Sequence, residues 1–188
     1  MKRNININSM SISALLCAIG IVIPIISPIK ITMEPASFTL ASHVAIFIAM
    51  FISPGTAAFV AVGTAVGFLM AGFPIVVVLR AASHIVFALA GASYLKKFPN
   101  TLKKLGSAQI FSFGLGALHA LSEVLTVMPF YFGNSMASGY YAKGFVLSVI
   151  LLVGVGTLIH SMVDFYLAQV IWKTVEKSVK IPRELSVN

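Results

Sequence analysis

Charge is scarce in this chain. Of 188 residues only 10% are charged, and only 5 of those are Asp or Glu. A soluble domain carries roughly 25% charged residues, so a water-soluble enzyme domain is excluded. Disorder is excluded by the 59% of apolar residues. There is a single cysteine, Cys17, which rules out an intrachain disulfide and argues against a thiolate metal cluster. No HExxH is present, hence no zincin-type protease. A G-x-S-x-G nucleophile elbow is lacking too. Without a Walker loop, the chain does not hydrolyse ATP by that route. No internal repeat or low-complexity segment stands out.

What is present is hydrophobicity, with a mean hydropathy of +0.99. This describes an integral membrane protein. A span takes about 20 residues, so the chain has room for about six spans and one domain, residues 1–188. Gly and Pro punctuate them. Span one covers about Met10 to Ile29, span two Ser37 to Ile52, and span three Thr56 to Ala71. Span four covers about Ile75 to Tyr94, span five Ala108 to Pro129, and span six Phe145 to Trp172. The first apolar run is too long, and too poor in cleavage signals, for a signal peptide. The fold class is therefore an all-α integral membrane protein, a bundle of six transmembrane helices.

Six spans put both termini on one side. That side carries Lys2, Arg3, Lys96, Lys97, Lys103, Lys104, Lys173, Lys177, Lys180 and Arg183, against Lys30 and Lys143 on the other. Positive charge gathers on the cytoplasmic side, so both termini are placed in the cytoplasm. The net charge of +8 is thus read as topology and contact with anionic lipid, not as nucleic-acid binding.

Ionisable residues inside spans cost on the order of 2.5–3.5 kcal/mol on insertion scales and mark function by default. Here they are His43, Arg80, His84, His119, Glu123, His160 and Asp164. Six form i, i+4 pairs: Arg80 with His84, His119 with Glu123, and His160 with Asp164. That spacing aims both members of a pair in one direction, toward the bundle interior. Depth along the helices brings His43, Arg80, His84, His119 and Glu123 together in the outer half. His160 and Asp164 fall in the cytoplasmic half, where a packing role or a partner contact is expected. The outer group reads as a pocket open to the outside, with the Arg80 fork suited to a carboxylate or phosphate. An internal Arg80–Glu123 ion pair is the structural alternative. The depths do not favour one metal site, and neither metal nor cofactor is expected. Loop one, with Lys30, Glu34 and Ser37, and loop five, with Tyr131, Asn134, Ser135, Tyr140 and Tyr141, would complete the pocket. In span one, Ala14 and Ala18 are four apart and would let another helix approach closely.

Six spans, cytoplasmic termini, Ala14-x-x-x-Ala18 and an outward pocket resemble the substrate-binding S components of energy-coupling factor transporters. The segments Pro35-Ala-Ser-Phe-Thr-Leu-Ala-Ser-His43, Phe51-Ile-Ser-Pro-Gly55 and Gly72-Phe-Pro-Ile-Val-Val-Val-Leu-Arg80-Ala-Ala-Ser-His84 look like the vitamin branch. The resemblance implies capture of a small vitamin and delivery inward with a transmembrane T component and two ATPase subunits. It implies docking through Ala14 and Ala18, and pocket roles for Arg80, His84, His119 and Glu123. It does not extend to the metal-transporting branch, whose early N-terminal histidine is missing here. The balance of charges around the pocket suits a small carboxylate, which favours niacin and leaves pantothenate as the alternative. A stand-alone secondary carrier or channel, and an intramembrane enzyme using a His–Glu pair, rank below.

Overall fold

The computed structural model describes residues 7–33, 36–136 and 138–178. Glu34, and the terminal Lys2, Arg3, Lys180 and Arg183 used in the charge count, lie outside these residues.

The chain forms α1 (Ile7–Ile26), a hairpin of β1 (Lys30–Met33) and β2 (Ala36–Thr39), then α2 (Val44–Ile52), α3 (Pro54–Met70) and α4 (Ile75–Lys97). It continues with α5 (Leu105–Phe132), a short α6 (Ser138–Ala142), a π-helical stretch (Val146–Val155) and α7 (Gly156–Ser178). Four segments are long and apolar enough to cross a membrane: Ser9–Ile26, Ile75–Lys97, Leu105–Phe132 and Val146–Glu176. Pro54–Met70 is a shorter apolar helix of 17 residues. The protein is a helical, multi-pass membrane protein. Its outer surface bears Met70, Ile110, Leu105 and Val146, all strongly exposed. Hydrocarbon is the solvent such a surface suits, and the helices satisfy their own backbone groups.

Span two differs from the expected helix over Ser37 to Ile52. Its first part is strand β2, paired antiparallel to β1 with Lys30 opposite Thr39. A turn at residues 40–43 follows, in which Ala41 adopts a left-handed φ of 68°. Only then does α2 begin. Nine residues at about 1.5 Å each make a helix far shorter than a hydrocarbon core of about 30 Å. Alternating small, polar and aromatic residues in Ala36-Ser-Phe-Thr39 suit a strand better than a helix.

Short as it is, α2 is the axis of the bundle. It packs against α1, α3, α4 and α7, and all its residues but Ile48 are buried. Phe47 stacks edge-on to Phe165 at 5.3 Å and tilts against Phe87 at 5.6 Å. Gly91 lets α4 approach: a Cβ there would collide with Met50 of α2 and stand 2.9 Å from Leu115 of α5. The single residue Ser53 joins α2 to α3. Its Oγ accepts a hydrogen bond from Thr56 N at 3.1 Å, and Pro54 fills the first turn of α3.

The N-terminus of α2 has no cap of its own, since His43 makes no capping bond with its side chain. Asp164 of α7 supplies one from across the bundle. Its Oδ1 accepts from Ala41 N at 2.8 Å and its Oδ2 from His43 N at 2.9 Å. A carboxylate at a helix N-terminus satisfies unpaired donors and complements the helix dipole. This capping pins the turn, and with it Ser42 and His43, to α7.

Candidate functional site

Each buried i, i+4 pair points inward, and the two carboxylates organise everything around them. Glu123 is 3% exposed and lies among four polar side chains. Arg80 Nη2 donates to its Oε2 at 2.7 Å, and Thr157 Oγ1 donates to the same oxygen at 2.6 Å. Its Oε1 lies 3.2 Å from His84 Nε2 and 3.5 Å from His119 Nε2. Asp164, fully buried, holds the other set. His43 Nδ1 is 3.1 Å and His160 Nε2 3.3 Å from its Oδ2. A buried charge is tolerable only when paired and hydrogen-bonded, and both acids meet that condition.

The four histidines share one place. His43 lies with its ring centre 4.9 Å from His84, 4.8 Å from His119 and 5.0 Å from His160, and His84 is 4.7 Å from His119. The expected separation of His160 and Asp164 into a cytoplasmic layer does not hold. The π-helical stretch before α7 winds more residues into each turn, so His160 advances less along the axis than an α-helix would carry it. His43 meets it from the turn before α2, which Asp164 caps.

Beside this cluster is a cavity of about 260 Å³. Arg80, His84, Glu123, His43, His160 and Thr157 line one part of it. Phe38, Phe68, Phe73 and Tyr140 supply aromatic walls, and Lys30 stands among the lining residues. Such a mixture, apolar walls with a few convergent polar groups, is typical of small-molecule sites. The volume suits a single-ring ligand. Arg80 commits one nitrogen to Glu123, while its buried Nε has no hydrogen-bond partner. The ion pair and the cavity-lining position therefore coexist in one side chain.

The remaining expected residues divide. His119 is fully buried behind the cavity, against Phe87 at 4.3 Å and with Nδ1 3.2 Å from Ser161 Oγ, and does not line it. Tyr131 and Asn134 do not line it either. Helix α5 continues through Pro129 to Phe132. This carries Tyr131 into an aromatic group with Tyr141 and Phe145, at 5.1 and 5.4 Å, and leaves Asn134 exposed in a turn at φ 50°. Ala14 and Ala18 are exposed on α1, so neither is used for packing inside the bundle. Sequence reasoning missed Thr157, Ser42 and Phe38. Thr157 sits three residues before His160, a helical spacing that puts both on one face, and this was the available signal. Gly156 marks Phe38: a Cβ there would stand 2.5 Å from the Phe38 ring.

The fold and site are those of a helical membrane protein that encloses a small cavity with a polar, histidine-rich lining. The chain is 41% identical over 180 residues to the niacin transporter NiaX of Lactococcus lactis subsp. cremoris (strain MG1363), spanning 95% of this chain and 79% of that protein. It belongs to the same family, the vitamin-binding S components of energy-coupling factor transporters. No family model matches the chain. No solved structure matches it either.

Proposed function

We propose that this chain captures niacin from outside the cell and passes it inward as the S component of an energy-coupling factor importer, working with a T component and two ATPase subunits. The chain acts as one domain of six spans with both termini cytoplasmic. The observation that carries the ligand class is Arg80: a guanidinium lining the cavity and held there through one nitrogen by Glu123. A guanidinium offers a fixed fork of donors to a carboxylate. Aromatic walls at Phe38, Phe68, Phe73 and Tyr140 suit a flat ring. Glu123 holds Arg80 and orients it, Thr157 and His84 hold Glu123 in turn, and His43 and His84 contribute polar contacts. A relative named for niacin transport supports the same ligand.

The lysines support the topology. Lys103 and Lys173 flank a second cavity, with Leu95 and Trp172, at the end of the bundle away from the hairpin. Their side is the cytoplasmic one by the distribution of positive charge. Calorimetric titration of the detergent-purified chain tests the reading. Nicotinate binds saturably to the chain alone. Nicotinamide, pantothenate and pyridoxine bind at least 10-fold more weakly. Transport into liposomes by this chain without an ATPase module contradicts the S-component role.

A further inference from the structure

On the wall of the cavity, four heteroatoms from two distant parts of the chain close a ring. Ser42 Oγ is 3.3 Å from His43 Nδ1 and 3.0 Å from His160 Nε2. Asp164 Oδ2 is 3.1 Å from His43 Nδ1 and 3.3 Å from His160 Nε2. One ligand atom from each of His43, His160 and Asp164 lies within 4.8 Å of the others. With equal diagonals, a four-membered ring with edges of this length has its centre about 2.0–2.3 Å from every corner, whether flat or puckered to a tetrahedron. That radius matches the 2.0–2.2 Å bonds of zinc to nitrogen and carboxylate oxygen.

Without a metal the four atoms close as ordinary hydrogen bonds, with His43 Nδ1 donating to Asp164 Oδ2 at 3.1 Å and Ser42 Oγ donating to His160 Nε2 at 3.0 Å. A cation at the centre would replace these bonds: with the His43 proton on its other nitrogen, it would meet a lone pair from every corner.

The surroundings are those of a ligand set. Asp164 Oδ1 is held by Ala41 N at 2.8 Å, which fixes the carboxylate. Outer partners of this kind orient metal ligands. Ala41 keeps a left-handed φ of 68° to present Ser42 and His43 to α7, a conformation that costs energy for a residue with a side chain. The site is reachable, since Ser42, His43 and His160 all line the cavity.

We propose that Ser42, His43, His160 and Asp164 form a binding site for one divalent transition-metal ion of the zinc class. Two imidazoles and one carboxylate are a donor set for borderline metals, whereas Mg²⁺ and Ca²⁺ require mostly oxygen. The inference concerns the ion alone and does not depend on niacin being the organic ligand.

The test uses the full chain, purified in detergent with a tag free of histidine, stripped with chelator and dialysed. It is titrated with ZnCl₂, and X-ray absorption is recorded on the zinc-loaded protein. We expect one equivalent bound. The absorption should show two imidazoles among nitrogen and oxygen ligands near 2.0 Å. His160→Ala and Asp164→Asn should each weaken binding at least 10-fold, and Ser42→Ala should weaken it less. No saturable binding by the wild-type chain overturns the site. So does one equivalent held by three or more imidazoles or by sulfur, a result that needs no variant to fold. Retained affinity in a folded His160→Ala protein means an adventitious ion only and overturns it as well. Nicotinate titrated into the chelator-stripped chain is read separately, so failure of the metal site and failure of the vitamin reading remain distinguishable.

Discussion

Arg80 and Glu123 form a 2.7 Å ion pair in which the arginine keeps its Nε unpartnered and remains in the cavity wall. The acid therefore serves as an anchor: it neutralises and orients the guanidinium without using up all its donors. This division of labour is what a site for an incoming carboxylate requires, because a desolvated arginine without a counter-charge would be too costly to bury.

Glu123 should matter more for stability than for ligand contact. Glu123→Ala leaves Arg80 buried and uncompensated, and breaking such a pair costs about 3–5 kcal/mol. Thr157→Val removes one hydrogen bond to the same carboxylate, worth about 1.5–3 kcal/mol. Equilibrium unfolding in detergent should rank wild type, Thr157→Val and Glu123→Ala in falling order. Equal stability of all three contradicts the anchoring role.

The hairpin is seated on α7 by a missing side chain. Phe38 occupies the space that a Cβ at Gly156 would need, and its ring centre lies 5.5 Å from that of His160. Gly156→Val should displace Phe38 and weaken nicotinate binding about 10-fold or more. Pairing it with Phe38→Ala should restore part of the loss. An unchanged affinity in Gly156→Val means that the hairpin does not shape the cavity.

Ala14 and Ala18 face outward on α1, next to the exposed Leu15 and Ile19. Small residues on an exposed helix face let another helix approach. Ala14→Trp and Ala18→Trp should abolish uptake by the assembled transporter while nicotinate binding by the isolated chain stays within about twofold. Loss of binding in the isolated chain contradicts a docking role.

The sequence made much of this site legible, for a simple reason. Helical spacing of three or four residues aligns side chains whatever the tertiary context, so His119 with Glu123 and His160 with Asp164 could be recognised as co-facial pairs and are seen at 3.5 and 3.3 Å. The Arg80–Glu123 ion pair was legible only as the alternative to a ligand-facing arginine, because the residues lie on different helices and no spacing links them; the pair is present and Arg80 still lines the cavity. Depth was not legible. Counting residues gives depth only along α-helices, and two segments, the strand Ala36–Thr39 and the π-helical Val146–Val155, are not α-helical. The π-helical stretch ahead of α7 holds His160 back, so the two expected layers form one cluster around His43. Pro129 misled in the opposite way: it reads as a helix end, yet α5 runs past it and takes Tyr131 away from the cavity. Ser42 and Thr157 went unnoticed because hydroxyls are common in apolar helices and acquire meaning only beside a buried acid.

The most direct measurement is the nicotinate affinity of the Arg80→Ala and Arg80→Lys proteins beside wild type, by calorimetry on folded, detergent-purified chain. Loss of a charged hydrogen bond costs about 1.5–3 kcal/mol, so Arg80→Ala should bind at least 10-fold more weakly. Arg80→Lys should fall between, since it keeps the charge and loses the fork. Nicotinate affinity equal to wild type in the Arg80→Ala protein would contradict the account.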